Sequence, residues 1–124
     1  MIELRPIGTV RTPIDETGDA PRQGKNETIE GTIEIDPEYE PGLAGIEAGD
    51  ALLVVWFAHE ADRSLLQLDR VDDRGVFDSR SPARPNPIVL TTVEVLSVDR
   101  TSIRVRGVDM LDGSPVLDLK VPLD

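Results

Sequence analysis

The sequence predicts an all-β fold: a barrel-like or strongly bent antiparallel sheet of about six to seven strands with little helix. Three observations carry this. Short apolar or alternating runs are separated at close intervals by Gly, Pro and Asp turn signals. Two of those runs, 88–98 and 102–108, flank the tight turn Asp99-Arg100, a hairpin signature. Strands nowhere alternate with full-length helical patterns, and no Gly-rich turn follows the first strand, which argues against a doubly wound nucleotide-binding sheet.

The elements follow in order. Residues 7–12 form the first strand. Ala20-Pro21-Arg22-Gln23-Gly24 is a loop punctuated by Pro and Gly. Residues 28–35 place Ile29, Gly31, Ile33 and Ile35 on one face, so this strand is half-buried. Pro37, Pro41 and Gly42 impose a turn, and residues 44–48 suit one helical turn. Residues 51–58 are apolar without a break, which predicts a strand buried on both faces. Residues 59–74 are polar, and within them 63–68 fit a short helix, a strand or a flap. Gly75-Val76-Phe77 leads into a proline-rich segment. After the hairpin, residues 116–121 make a last short strand.

A chain of 124 residues predicts a single domain over 1–124. Its net charge is -11, from 24 acidic and 13 basic residues, and its only lysines are Lys25 and Lys120. Nucleic-acid binders usually carry a basic excess. The acidity fits either a protein with no polyanionic partner or one from a halophilic cytosol, where salt screens charge. In the second case a local basic site still works, and Arg80 with Arg84, or Arg104 with Arg106, are the clusters that would form it. With no cysteine there is neither a disulfide framework nor a thiolate metal site, and one histidine argues against any transition metal. The N-terminus lacks a signal-peptide pattern, and no apolar run approaches the ~20 residues that span a bilayer. A soluble, cytoplasmic protein without membrane contact is expected.

Four segments carry chemistry. In Arg80-Ser81-Pro82-Ala83-Arg84-Pro85-Asn86-Pro87-Ile88, prolines fix φ and remove backbone donors, so the segment is a stiff loop rather than a central strand. Stiffness lowers the ordering cost of binding, and the guanidinium fork suits carboxylates and phosphates. The plainer reading is an exposed connector with solvated arginines. Asp109-Met110-Leu111-Asp112-Gly113-Ser114-Pro115 reads first as a turn, in which Asp112 also suits an amine or a ribose hydroxyl. Trp56-Phe57-Ala58-His59-Glu60 ends the apolar strand on the sole histidine, structural or a candidate base. Pro21-Arg22-Gln23-Gly24 is an ordinary turn unless a ligand meets it.

In this order the four segments resemble the TsaA-like domain of the TrmO family, tRNA methyltransferases acting on threonylcarbamoyladenosine at position 37. The resemblance runs from Ile7-Gly8-Thr9-Val10-Arg11-Thr12-Pro13 through Ala20 to Gly24, Trp56 to His59, Gly75 to Ile88 and Asp109 to Pro122. The proline-arginine-asparagine segment is its most specific part. Several positions depart from the family pattern. Asp78-Ser79 replaces Ala-Thr, Ala83 replaces a histidine or aromatic residue, and Val89 replaces a glycine. Lys120-Val121-Pro122 carries an extra residue, and His59 stands one position late. Bacterial members continue into a C-terminal domain associated with tRNA handling, and this chain is expected to be a short form without it.

The resemblance implies a barrel-like, often dimeric domain that binds S-adenosylmethionine without a dinucleotide-binding sheet. Its cofactor contacts map onto Pro21, Arg22, Gln23, His59, Glu60, Arg80, Leu90, Met110, Leu111, Asp112 and Gly113. It implies tRNA as partner and N6 of the modified adenosine as methyl acceptor. His59 and then Asp112 are the candidate proton acceptors, and Arg84 and Asn86 the candidate substrate contacts. Alternatives are a methyltransferase of the same fold acting on a small molecule or protein, a non-enzymatic S-adenosylmethionine-binding module, and a structural β domain.

Overall fold

The computed structural model describes residues 1–15, 29–68 and 74–123. Six strands form a closed antiparallel barrel: β1 (Gly8–Arg11), β2 (Glu30–Ile35), β3 (Ala51–Phe57), β4 (Ile88–Asp99), β5 (Ser102–Arg106) and β6 (Ser114–Lys120). Around the barrel they run β1-β2-β5-β4-β3-β6. The β1–β6 pair closes the ring, with Gly8 opposite Val116 and Val10 opposite Ser114. Pro115 costs the sheet one donor. It is tolerated near the start of β6, ahead of the pairing with β3 that begins at Val116 opposite Trp56.

Alternation along each strand sends one set of side chains inward. Val10, Ile33, Val54, Val95, Ile103, Val105 and Val116 are almost wholly enclosed. Each branched side chain taken out of water in this way contributes about 1.5–3 kcal/mol. This corrects the expectation for β3. Its burial alternates, with Leu52, Val54 and Trp56 inside and Leu53, Val55 and Phe57 on the outer face. A closed barrel has a single interior, so an unbroken apolar run need not be covered on both sides.

Other boundaries move by a few residues. The hairpin turn lies at Arg100-Thr101 rather than Asp99-Arg100, with Arg100 in the left-handed region at φ 59°. The expected helical turn at 44–48 is instead a 3-10 segment at Pro37–Leu43, where Pro37 occupies a starting position. Residues 63–68 form neither helix nor ladder, only an isolated bridge from Gln67 to Gly75.

The arginines of the outer wall are paired with acids. Arg11 meets Glu34 at 3.2 Å, Arg104 meets Glu30 at 3.1 Å, and Arg106 meets Glu94 at 2.8 Å. Arg104 and Arg106 therefore do not form the local basic site that their clustering implied. No described helix is long and apolar enough to cross a membrane.

Candidate functional site

One mouth of the barrel lies where β3 ends and β4 and β6 begin. The inward alternation of β4 runs Val89, Thr91, Val93, Val95, so Thr91 places a hydroxyl among apolar neighbours. A buried hydroxyl needs partners. Thr91 Oγ1 accepts from Trp56 Nε1 at 3.0 Å and donates to Asp109 Oδ1 at 2.8 Å. The relay fixes the indole and holds a half-buried carboxylate at the barrel mouth. Burial pushes the Asp109 carboxyl above its ordinary value. The Thr91 hydrogen bond, its own backbone N–H and the charge of Arg80 oppose that shift.

Over this relay opens a cleft of about 300 Å³. Trp56, Ala58 and Leu111 give it apolar walls, and Pro82 and Ala83 bound it from the proline-rich loop. Carboxylates of Glu60, Asp62 and Asp109 line it together with His59. An apolar slot edged by carboxylates suits a flat or partly apolar ligand that carries positive charge. The described residues contain no cluster of three or more His, Asp or Glu able to hold a metal.

The proline-rich loop is rigid for reasons beyond its prolines. Ser79 Oγ accepts from Ser81 N and Ser81 Oγ accepts from Ala83 N, each at 3.2 Å. Arg84 turns back into its own loop, donating to the carbonyls of Ser81, Val76 and Ser79 at 2.5–2.8 Å. Pro87 is buried, and its carbonyl accepts from Ala58 N at 2.9 Å, tying the loop to the end of β3. Arg84 is thus the internal brace of one cleft wall. We predict that Arg84→Ala leaves the Ser81 and Ser79 carbonyls without this donor, with Val76 keeping only the Ser79 hydroxyl, and lowers stability by about 1–3 kcal/mol. Proteolytic cleavage near residues 76–86 and a lower unfolding midpoint would report the change. Arg84→Lys should not restore the wall, because an ammonium lacks the planar fork.

The structure brings together some of the sequence-selected residues and separates others. His59, Glu60 and Leu111 line the cleft. Arg80 borders it through its field on Asp109. Met110 does not line the cleft: its side chain is in the core and its carbonyl accepts from Thr12 Oγ1 at 2.9 Å. Asp112 does not line the cleft, and its carboxylate accepts from Thr12 N at 3.1 Å, tying this turn to the end of β1. Gly113 serves the same turn at φ 86°, donating to the Val10 carbonyl. Leu90 stands on the outer face of the barrel, 43% exposed. Asn86 is exposed beside Arg63, which donates to the Pro85 carbonyl and lies 5.4 Å from the Phe57 ring centroid. Pro21, Arg22 and Gln23 lie outside the described residues. Sequence reasoning missed Asp109 and Thr91 as a pair; the available signal was a single hydroxyl in an otherwise apolar inward alternation.

Residues 9–123 match the family described as the tRNA-methyltransferase O N-terminal domain. A protein of Halobacterium salinarum named as a probable S-adenosyl-L-methionine-binding protein is 47% identical over 96% of this chain and 97% of its own length. An S-adenosyl-L-methionine-binding protein of Archaeoglobus fulgidus is 44% identical over 94% of this chain and 86% of its own. The crystal structure of TrmO from Pseudomonas aeruginosa superposes with a TM-score of 0.82 at 31% identity. That match covers 99% of this chain, which spans only 56% of the solved one.

Proposed function

Because this chain belongs to the tRNA-methyltransferase O N-terminal domain family, we propose that it is an S-adenosylmethionine-dependent methyltransferase whose acceptor is N6 of threonylcarbamoyladenosine at position 37 of tRNA. The observation that carries the cofactor is the composition of the cleft: apolar walls from Trp56, Ala58 and Leu111 with carboxylates at Glu60, Asp62 and Asp109. S-adenosylmethionine has an adenine ring and a cationic sulfonium and ammonium, so the lining fits it.

When bound, the cofactor supplies a methyl group on a positively charged sulfur. The chain's own work is alignment and exclusion of water. Trp56, fixed through Thr91, offers a rigid apolar face. The braced loop keeps Pro82 and Ala83 opposite it without an ordering cost on binding. The carboxylates oppose the positive charge of the ligand. His59 sits at the solvent edge, where an incoming nucleotide arrives.

The chain acts as a homodimer in this reading, supported by an apolar outer face on β3 and β4. Phe57 stands opposite Ile88 and Val55 opposite Leu90. Leu90 points away from its own cleft, so the cofactor contact implied for it is made to a neighbouring copy.

The test is incubation with S-adenosylmethionine and tRNA carrying threonylcarbamoyladenosine, at low and high salt, followed by mass spectrometry of the digested nucleosides. A gain of one methyl on that nucleoside is expected. Methylation of a free nucleoside or metabolite alone would move the acceptor to a small molecule. Cofactor binding with no turnover on any acceptor would make the chain a binding module.

A further inference from the structure

We infer that Asp109 is the proton acceptor of the methyl-transfer step, held in place by the hydroxyl of Thr91. The inference rests on the methyl-transfer reading of the cleft and names a group in it.

The geometry separates Asp109 from the other acids. Asp112 is turned to the Thr12 amide. Asp62 accepts from both the amide and the hydroxyl of Ser64, at 2.9 and 2.6 Å, on an exposed turn. Glu60 is exposed at the cleft rim. Asp109 alone among them is partly buried, lines the cleft and is anchored to the barrel interior. One carboxylate oxygen takes the Thr91 hydrogen bond. The hydroxyl is itself fixed by the Trp56 indole, so the carboxylate has a set orientation.

An acceptor nitrogen conjugated with a ring and a carbonyl group is a poor nucleophile until its proton leaves. In the step inferred here, the nitrogen lone pair forms the new bond to the methyl carbon. The carbon–sulfur bond breaks, and its electron pair stays on sulfur, which becomes a neutral thioether. The nitrogen's proton ends on Asp109. The positive charge on sulfur and the negative charge on Asp109 disappear together, so the step neutralises one charge pair in a partly buried site. A carboxylate whose basicity is raised by burial is the better acceptor at neutral pH. The charged and titratable groups around it are Arg80 from the proline-rich loop and His59, Glu60 and Asp62 from the segment after β3, while Asp112 on its own segment is turned away to the Thr12 amide. Removing the Thr91 hydroxyl leaves these in place and takes away one contact that favours the ionised form.

The test uses Asp109→Asn, Thr91→Val and Thr91→Ser in the full chain. Asp109→Asn removes one of the carboxylates that oppose the cofactor's positive charge, so S-adenosylmethionine is expected to bind up to about tenfold more weakly by calorimetry, and turnover is compared at saturating cofactor. The kcat of this variant should fall on the order of 100-fold or more, the scale of a lost general base. In Thr91→Val the carboxyl titrates at higher pH, so the acidic limb of the kcat profile moves to higher pH. Carbon-13 NMR of the Asp109 carboxyl should move the same way without any substrate present. Thr91→Ser, which restores the hydroxyl, should return both to their original positions. If the unsubstituted protein methylates and Asp109→Asn retains its rate, or the limb and NMR titration stay fixed in Thr91→Val, the role of Asp109 is overturned and methyl transfer stands. If the unsubstituted protein methylates nothing, both are overturned.

Discussion

Replacing Gly8 with Ala is expected to lower the unfolding midpoint by about 10 °C. Gly8 sits in β1 where the barrel closes, paired with Ile35 on one side and Val116 on the other. A Cβ there would stand 2.2 Å from the Glu34 carbonyl oxygen and 3.0 Å from the Ile35 Cα. Both obstacles are backbone, held in a ladder, so no flexible side chain can give way. Relief requires β1 to move off β2, which strains the pairing with β6 as well. Overpacking of this kind costs about 3 kcal/mol, and at about 3–4 °C per kcal/mol for a domain of this size the shift follows. Gly42 is the control. A Cβ at Gly42 meets nothing within 4 Å, so Gly42→Ala should change stability by no more than about 0.5 kcal/mol. Thermal unfolding followed by circular dichroism compares the two. Equal midpoints would mean that β1 is not held at this seam.

The barrel was legible because alternation and turn signals are local. Ile33 and Ile35 with Gly31 on one face identified β2, and the turn between β4 and β5 was misplaced by only one residue. What local pattern could not supply was closure. The pairing of β1 with β6 joins residues more than a hundred positions apart, and only that closure makes β3 one-sided despite its continuous apolar run. The same limit applied at the site. The proline-rich loop was identified as stiff, but the turn of Arg84 onto three carbonyls of its own loop is a matter of side-chain direction. Asp112 looked the better ligand within its turn because Asp-Gly is conspicuous. Asp109 became visible only when the barrel set it beside Thr91, 18 residues earlier.

The second large effect concerns the cleft. Ala61 lines it from the segment after β3, together with Trp56 and Leu111. A tryptophan at position 61 would fill much of a space of about 300 Å³. Because Ala61 is half-buried at a cleft wall and outside the barrel interior, the substitution should leave the core untouched. The midpoint is expected to stay within about 2 °C of the unsubstituted protein. Loss of the cofactor's apolar contacts should weaken its binding on the order of 100-fold, about 2.7 kcal/mol. The two readouts together distinguish a blocked site from a misfolded chain.

The most direct measurement is therefore calorimetric titration of S-adenosylmethionine into the unsubstituted protein and into Ala61→Trp. One molecule is expected to bind per chain in the first, with binding reduced on the order of 100-fold in the second. Equal affinity in both would place the cofactor outside this cleft, and no binding to the unsubstituted protein would overturn the cofactor assignment itself.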